Sequence, residues 1–112
     1  MAVRVGNKYG AKRCEEDGFS FDSLAERAEY RRLKLRLRAG EIADLKIHPR
    51  FGIVVNRTKI CSYIADFSFT DVGTGQLVIE DVKSPASITA VYKLKKRLMF
   101  ACLGLEITEV MV

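Results

Sequence analysis

Histidine is almost missing from this chain, which carries one, His48, in 112 residues. A histidine-rich zinc site is therefore excluded. Cysteine is scarce too: Cys14, Cys61 and Cys102 are isolated, odd in number and form no CxxC pair. That argues against a disulfide framework and a zinc knuckle, and points to reduced thiols in a cytoplasmic protein. No apolar stretch approaches the roughly 20 residues of a membrane span. The start, Met1-Ala2-Val3-Arg4-Val5-Gly6, lacks the apolar region of a signal peptide. Repeats, linkers and low-complexity tracts are absent as well, so residues 1–112 read as one small domain.

What is present is ordinary in bulk, with 48% hydrophobic and 29% charged residues. The net charge of +5 is unevenly spread. Basic residues crowd into Arg31-Arg32-Leu33-Lys34-Leu35-Arg36-Leu37-Arg38 and into Lys93-Leu94-Lys95-Lys96-Arg97. Each run can be the solvated face of a helix, and two together also suit a phosphate-backbone partner. Charge alone leaves both open.

Residues 1–13, with Lys8, Lys12 and Arg13, are glycine-containing, basic and poorly periodic, and read as a flexible arm. Asp17-Gly18 signals a tight turn between short strands. Asp22 or Ser23 can cap a helix, with Glu26 at capping-box spacing from Ser23, running to about Arg38 and stopped by Gly40. Its apolar residues form two stripes, Leu24/Ala28/Leu35 and Tyr30/Leu33/Leu37, about 200° apart at about 100° per residue. Ile42–His48 and Phe51–Val55 read as strands around Pro49, followed by a turn at Asn56-Arg57-Thr58-Lys59. Strands containing Asp66 and Asp81 come next. A second helix is expected from about Thr89 to Leu103, with Val91/Leu94/Leu98/Ala101 as its core stripe and Gly104 as its stop. Leu105–Val110 closes the chain as a strand. The order predicts an α/β fold with a mixed sheet.

The most informative charges sit inside apolar, strand-forming runs: Asp66 in Tyr63–Phe69, and Asp81 with Lys83 in Val78–Lys83. Burying charge is costly, so a compensating role is expected, and a divalent metal would supply it. Between the runs lies the turn signal Asp71-Val72-Gly73-Thr74-Gly75-Gln76. A two-residue loop at Gly73-Thr74, or a four-residue loop centred there, sets Asp66 opposite Asp81. Opposed Cβ atoms lie roughly 4.5–5.5 Å apart, near enough for two carboxylates to share a cation. Lys83, two residues beyond Asp81, points to the same face. A three-residue loop would instead part the two acids onto opposite faces.

Asp66, Asp81 and Lys83 resemble the D…(D/E)xK pattern of the PD-(D/E)xK nuclease superfamily. The likeness extends through Lys8–Lys12, Asp17–Glu26, Tyr63–Phe67, Val78–Ser84 and Tyr92–Lys95, and covers most of the chain. It looks like a small phage-encoded family in that superfamily and is similar, more distantly, to Holliday-junction resolvases. The resemblance implies a restriction-endonuclease-like sheet flanked by helices and a Mg²⁺-dependent endonuclease, with Mn²⁺ able to substitute. It also implies branched DNA as substrate, in recombination, replication or packaging inside a host cell.

By the same resemblance Asp66, Asp81, Glu26 and the Val82 carbonyl would hold metal, and Lys83 would act beside the attacking water. Glu26 also has the spacing of a helix-capping glutamate, and Glu29, one turn on, is the alternative third acid. His48 resembles a site-adjacent glutamine of relatives. One histidine weighs against a ββα-metal nuclease with a histidine base. Glu80 alternates away from Asp81, so a surface or inter-strand pairing is expected of it. Lys93 and Lys95 can flank the site and meet phosphate, or be a solvated flank; Tyr92 can pack or stack near the metal. Lys8, Lys12 and Arg13 can follow DNA. A homodimer is expected, because a resolvase cuts two strands symmetrically. The rival reading is a non-catalytic DNA- or protein-binding module on the same fold.

Overall fold

The computed structural model describes residues 13–112. Within them the elements run β1 (Cys14–Glu16), β2 (Phe19–Phe21), α1 (Leu24–Arg38), β3 (Ile42–Ile47), β4 (Arg50–Val55) and β5 (Thr58–Ile64). They continue through β6 (Phe67–Asp71), β7 (Leu77–Lys83), a short 3₁₀ turn at Pro85–Ser87, α2 (Ala90–Leu103) and β8 (Ile107–Met111).

Local chemistry sets most boundaries. Asp17 and Gly18 both take positive φ, 53° and 83°, so a two-residue loop joins β1 to β2. Ser23 caps α1 by accepting from the Glu26 backbone N–H at 3.0 Å, and Gly40 follows its end at φ 78°. Thr89 caps α2 in the same way, and Gly104 closes it in the left-handed conformation.

The main sheet has the order β3-β6-β7-β8. β6 pairs antiparallel with β3 on one side and β7 on the other, whereas β8 lies parallel to β7 after the α2 crossover. Phe67 and Phe69 bury one face against Phe21, Tyr30 and Leu33, which brings α1 onto it. Ile79 and Ile107 bury the other against Tyr92 and Met99 of α2. The fold is α/β, a mixed sheet with a helix on each face. No helix among the described residues is long and apolar enough to cross a membrane.

The β6–β7 loop has the four-residue length that the turn signal allowed. Phe67 pairs with Glu80 and Thr70 with Leu77, while the Asp71 N–H donates to the Gln76 carbonyl at 2.9 Å across a four-residue loop. The ladder ends at Phe67–Glu80, and Asp66 lies just outside β6 with its N–H donating to the Glu80 carbonyl at 3.2 Å, so the two acids are close but not a cross-strand pair.

Four expectations are corrected. Tyr63–Phe69 is not one strand: β4 and β5 form a separate two-stranded ribbon, and the chain passes from it into the main sheet at Ala65-Asp66. The α2 core stripe is not Val91/Leu94/Leu98/Ala101, since Val91 and Leu94 are 63% and 56% exposed. Tyr92 and Met99 are buried instead, with Leu98 and Cys102 beside them, because the Tyr92 hydroxyl reaches a partner on β8. Arg13 is not part of a free arm. It donates to Ser20 at 2.9 Å and lies 4.0 Å from Asp22, while Lys8 and Lys12 lie outside the described residues. On α1, Tyr30 and Leu33 face the core, whereas Leu24, Ala28, Leu35 and Leu37 face outward.

The α2 correction is open to direct measurement. Met99→Ala, which empties a fully buried site, is expected to lower the urea-derived unfolding free energy by about 2–5 kcal/mol. Leu94→Ala should change it by about 0.5 kcal/mol or less. The reverse ranking would restore the stripe read from spacing.

Candidate active site

Asp66 sits at the joint between the ribbon and the main sheet, and that position makes it available. The His48 N–H donates to the Asp66 carbonyl at 2.9 Å, and the Ala65 N–H to the Pro49 carbonyl at 3.1 Å, so the two crossing strands are pinned together there. The Asp66 N–H is turned toward β7, where it meets Asp81 Oδ1 at 2.9 Å. In return the Val82 N–H donates to Asp66 Oδ2 at 2.7 Å. Each carboxylate is thus oriented by a backbone amide on the neighbouring strand. A strand residue directs its N–H and C=O to the same edge, so the Val82 carbonyl faces the Asp66 side too.

Glu26 arrives from the first turn of α1. Its Oε1 accepts from the Asp22 N–H at 3.2 Å, so it does support the helix start. Its Oε2 lies 2.7 Å from His48 Nε2, a hydrogen bond whichever of the two carries the proton. Ligand atoms of Glu26, His48 and Asp66 all lie within 4.8 Å of one another. His48 adopts a left-handed backbone, φ 52°, which strains a non-glycine residue and turns the chain from β3 into β4. Sequence placed this histidine beside the site; the geometry puts it within ligating distance.

Lys83 shares the Asp81 face of β7. Its ammonium lies 4.0 Å from the Tyr92 ring centroid, and its charge acts on both Asp66 and Asp81. Sequence reading missed Glu109. Parallel pairing sets Glu109 beside Asp81, where it accepts from the Tyr92 hydroxyl at 2.8 Å and from Lys96 at 2.9 Å. The signal was one more acid in an apolar strand, but only the α2 crossover brings it next to Asp81. Lys96, not Lys93 or Lys95, is therefore the α2 lysine that meets the cluster. Lys93 is exposed, and Lys95 donates to the Ser62 carbonyl at 3.1 Å on the ribbon.

Glu29 and Glu80 do not join this site. Glu80 is not a surface group, as its alternation had suggested, but 93% buried on the α1 face, against Glu29. Burial first, and the Glu29 carboxyl second, raise its affinity for a proton above the ordinary carboxylate range. Arg32 lies 3.2 Å from the other side of the pair, on Glu29.

Electrostatically the site is strained. Desolvation is the largest cause of a raised pKa at Glu26, Asp66 and Asp81, the last reaching about 6. The Asp66 charge raises Glu26 further, whereas Lys83 and the backbone amides pull the aspartates back down. Two carboxylates that resist ionisation, Glu26 and Asp66, stand with the His48 imidazole as a compact donor set, and Asp81, joined to Asp66 by an amide hydrogen bond, lies outside that group. A mixed oxygen and imidazole set of this kind can hold a divalent cation.

A native state that holds extra protons loses stability as they leave. Asp81 ionises near pH 4 when unfolded and near 6 when folded, so raising pH from 5 to 7 is expected to cost about 1 kcal/mol from Asp81 alone. In a thermal scan that is a fall in Tm of about 4–8 °C. Added Mg²⁺ or Mn²⁺ should restore Tm at pH 7 more than at pH 5, and Asp81→Asn should blunt both responses. A Tm indifferent to pH and to the metals would count against a cation site.

Comparison with curated proteins finds no match, and comparison with solved structures finds none. A family model does match. It covers residues 6–107, and the chain belongs to the family it describes, Protein of unknown function (DUF1064).

Proposed function

We propose that this protein is a metal-dependent DNA endonuclease of PD-(D/E)xK type, hydrolysing phosphodiester bonds, with branched DNA of the Holliday-junction kind as its substrate. One observation carries the reading: reciprocal amide-to-carboxylate hydrogen bonds tie Asp66 and Asp81 together, with Lys83 on the Asp81 face of β7. The mixed sheet with a helix on each face is compatible with it as well.

Asp66 and Asp81 would hold the cation, with the Val82 carbonyl and Glu26 as further ligands and His48 within reach. When bound, Mg²⁺ supplies Lewis-acid polarisation of the phosphoryl oxygen and activation of a water. Lys83 Nζ, a preset positive charge, stabilises the negative charge that grows on the phosphate oxygens as attack proceeds. The amides of Asp66 and Val82 keep both aspartates from turning away, and the Tyr92 ring sets the direction of the lysine. Glu26 paired with His48 can take up or release a proton at Oε2. In-line attack would leave 5′-phosphate and 3′-hydroxyl ends, action inside a host cell would be cytoplasmic, and symmetrical cutting calls for a homodimer.

The test incubates four-way junctions, flaps and linear duplex with the protein and Mg²⁺ or Mn²⁺. Wild type should cleave, preferring the branched substrates, while Asp81→Ala and Lys83→Ala should each lose about 10²-fold or more in rate. Equal cleavage by all three would discard the site. Metal-dependent binding without cleavage would favour the non-catalytic module.

A further inference from the structure

The ribbon formed by β4 and β5 grows directly out of the candidate site. Its first strand leaves His48 through Pro49, and its second returns to Asp66 through Ala65. Six residues of β4, at about 3.3 Å each, carry the tip about 20 Å away. Asn56 and Arg57 turn it with positive φ, 49° and 66°, in the tight two-residue loop that keeps such a ribbon stiff.

Its charge is one-sided. From Leu45 to Ala65 the sequence has no aspartate or glutamate, yet it includes Lys46, Arg50, Arg57 and Lys59. Among the described residues none of those four has an ion-pair partner, and residues 1–12 contain no acid that could provide one. The basic run on α1 is different: Arg31 and Lys34 pair with Glu16 and Asp17, Arg32 with Glu29, and Arg36 with Glu41.

The ribbon's inner face is committed, since Phe51, Ile53, Cys61 and Tyr63 pack into the core under α2. The outer face is open. Arg50 pairs across with Ile64, Gly52 with Ser62, and Val54 with Lys59, and a Cβ built on Gly52 would meet nothing within 4 Å. Val54, Ile60 and Ile64 are each half exposed or more. A glycine in mid-strand, beside open space and between basic residues, admits a closely approaching backbone. A two-stranded ribbon is also narrow enough for a DNA groove.

We infer that the β4–β5 ribbon is the protein's DNA-gripping arm, holding phosphates with Arg50, Arg57 and Lys59 along its outer face and at its tip. The arm deepens the nuclease reading and rests on it. Because both strands end at site residues, a backbone held by the arm is placed relative to Asp66 without any hinge. A reach of about 20 Å corresponds to about six nucleotides at about 3.4 Å each.

The experiment measures binding of fluorescein-labelled duplex and four-way junction by anisotropy, in EDTA, across a salt series, using the full chain. Arg57→Ala/Lys59→Ala should weaken binding about 10- to 100-fold at 0.1 M salt and reduce the log–log salt slope by about 1.8, about 0.9 per lost phosphate contact. Its Tm should stay at the wild-type value, and Arg31→Ala/Arg32→Ala should leave the slope unchanged. Wild-type affinity and slope in the ribbon variant would overturn the proposal, as would a loss confined to self-association in sedimentation. The nuclease reading is read separately, from cleavage by wild type against Asp81→Ala. A wild type that binds with the full slope but does not cut refutes the nuclease and leaves the arm standing.

Discussion

Two amide-to-carboxylate hydrogen bonds, from Asp66 N to Asp81 Oδ1 and from Val82 N to Asp66 Oδ2, hold the chain together where it changes sheets. The small ribbon ends at Ile64 and the main sheet resumes at Phe67, and backbone bonds already cross the joint from His48 to Asp66, from Ala65 to Pro49 and from Asp66 to Glu80. The carboxylates add a second layer of bonds to that joint, and each aspartate spends one oxygen on the fold. The cost is electrostatic: burial raises both pKa values although each accepts a charge-favouring amide. The fold is thus held at this joint by carboxylates whose burial is only partly compensated.

The same joint explains what sequence could disclose and what it could not. The β6–β7 register was legible because a glycine-flanked turn fixes parity, whereas the departure from the ladder at Asp66, whose N–H turns to Glu80, was not. Helix limits were legible at Ser23, Gly40, Thr89 and Gly104, where capping chemistry is local. The break in Tyr63–Phe69 was not, because both halves have the same strand-forming residues and only the crossing at His48 separates them. The α2 face was ambiguous for a similar reason. Apolar residues at 91, 92, 94, 98, 99, 101 and 102 serve two faces, and the choice fell to Tyr92 because Glu109, distant in sequence, accepts its hydroxyl. His48 could be placed near the site, but its contact with Glu26 depends on a left-handed φ that spacing does not disclose.

β7 is acidic on both faces, and the two faces do different work. Asp81 looks toward α2 and the opening, while Glu80, one residue earlier, is sealed against Glu29 of α1. Two buried carboxyls with an oxygen each lacking other partners are satisfied when one is protonated and donates to its neighbour. The raised pKa of Glu80 favours that state, and Arg32 balances the remaining charge on Glu29. This contact fixes the roll of α1 as much as Tyr30 and Leu33 do.

Roll matters because Glu26 precedes Glu29 by three residues and so projects from nearly the same side of the helix. Locking Glu29 onto β7 therefore carries Glu26 to the rim of the sheet, where His48 and Asp66 wait. The helix is pinned a second time at its outer surface by Arg31 and Lys34 on the β1–β2 hairpin. Much of its positive charge is thereby spent on holding position, since Arg31, Arg32, Lys34 and Arg36 all sit against acids. Arg50, Arg57 and Lys59 on the ribbon have no such neighbours among the described residues, because the chain from Leu45 to Ala65 carries no acid. The ribbon's strands are held by backbone pairing and by the apolar side chains of their inner face.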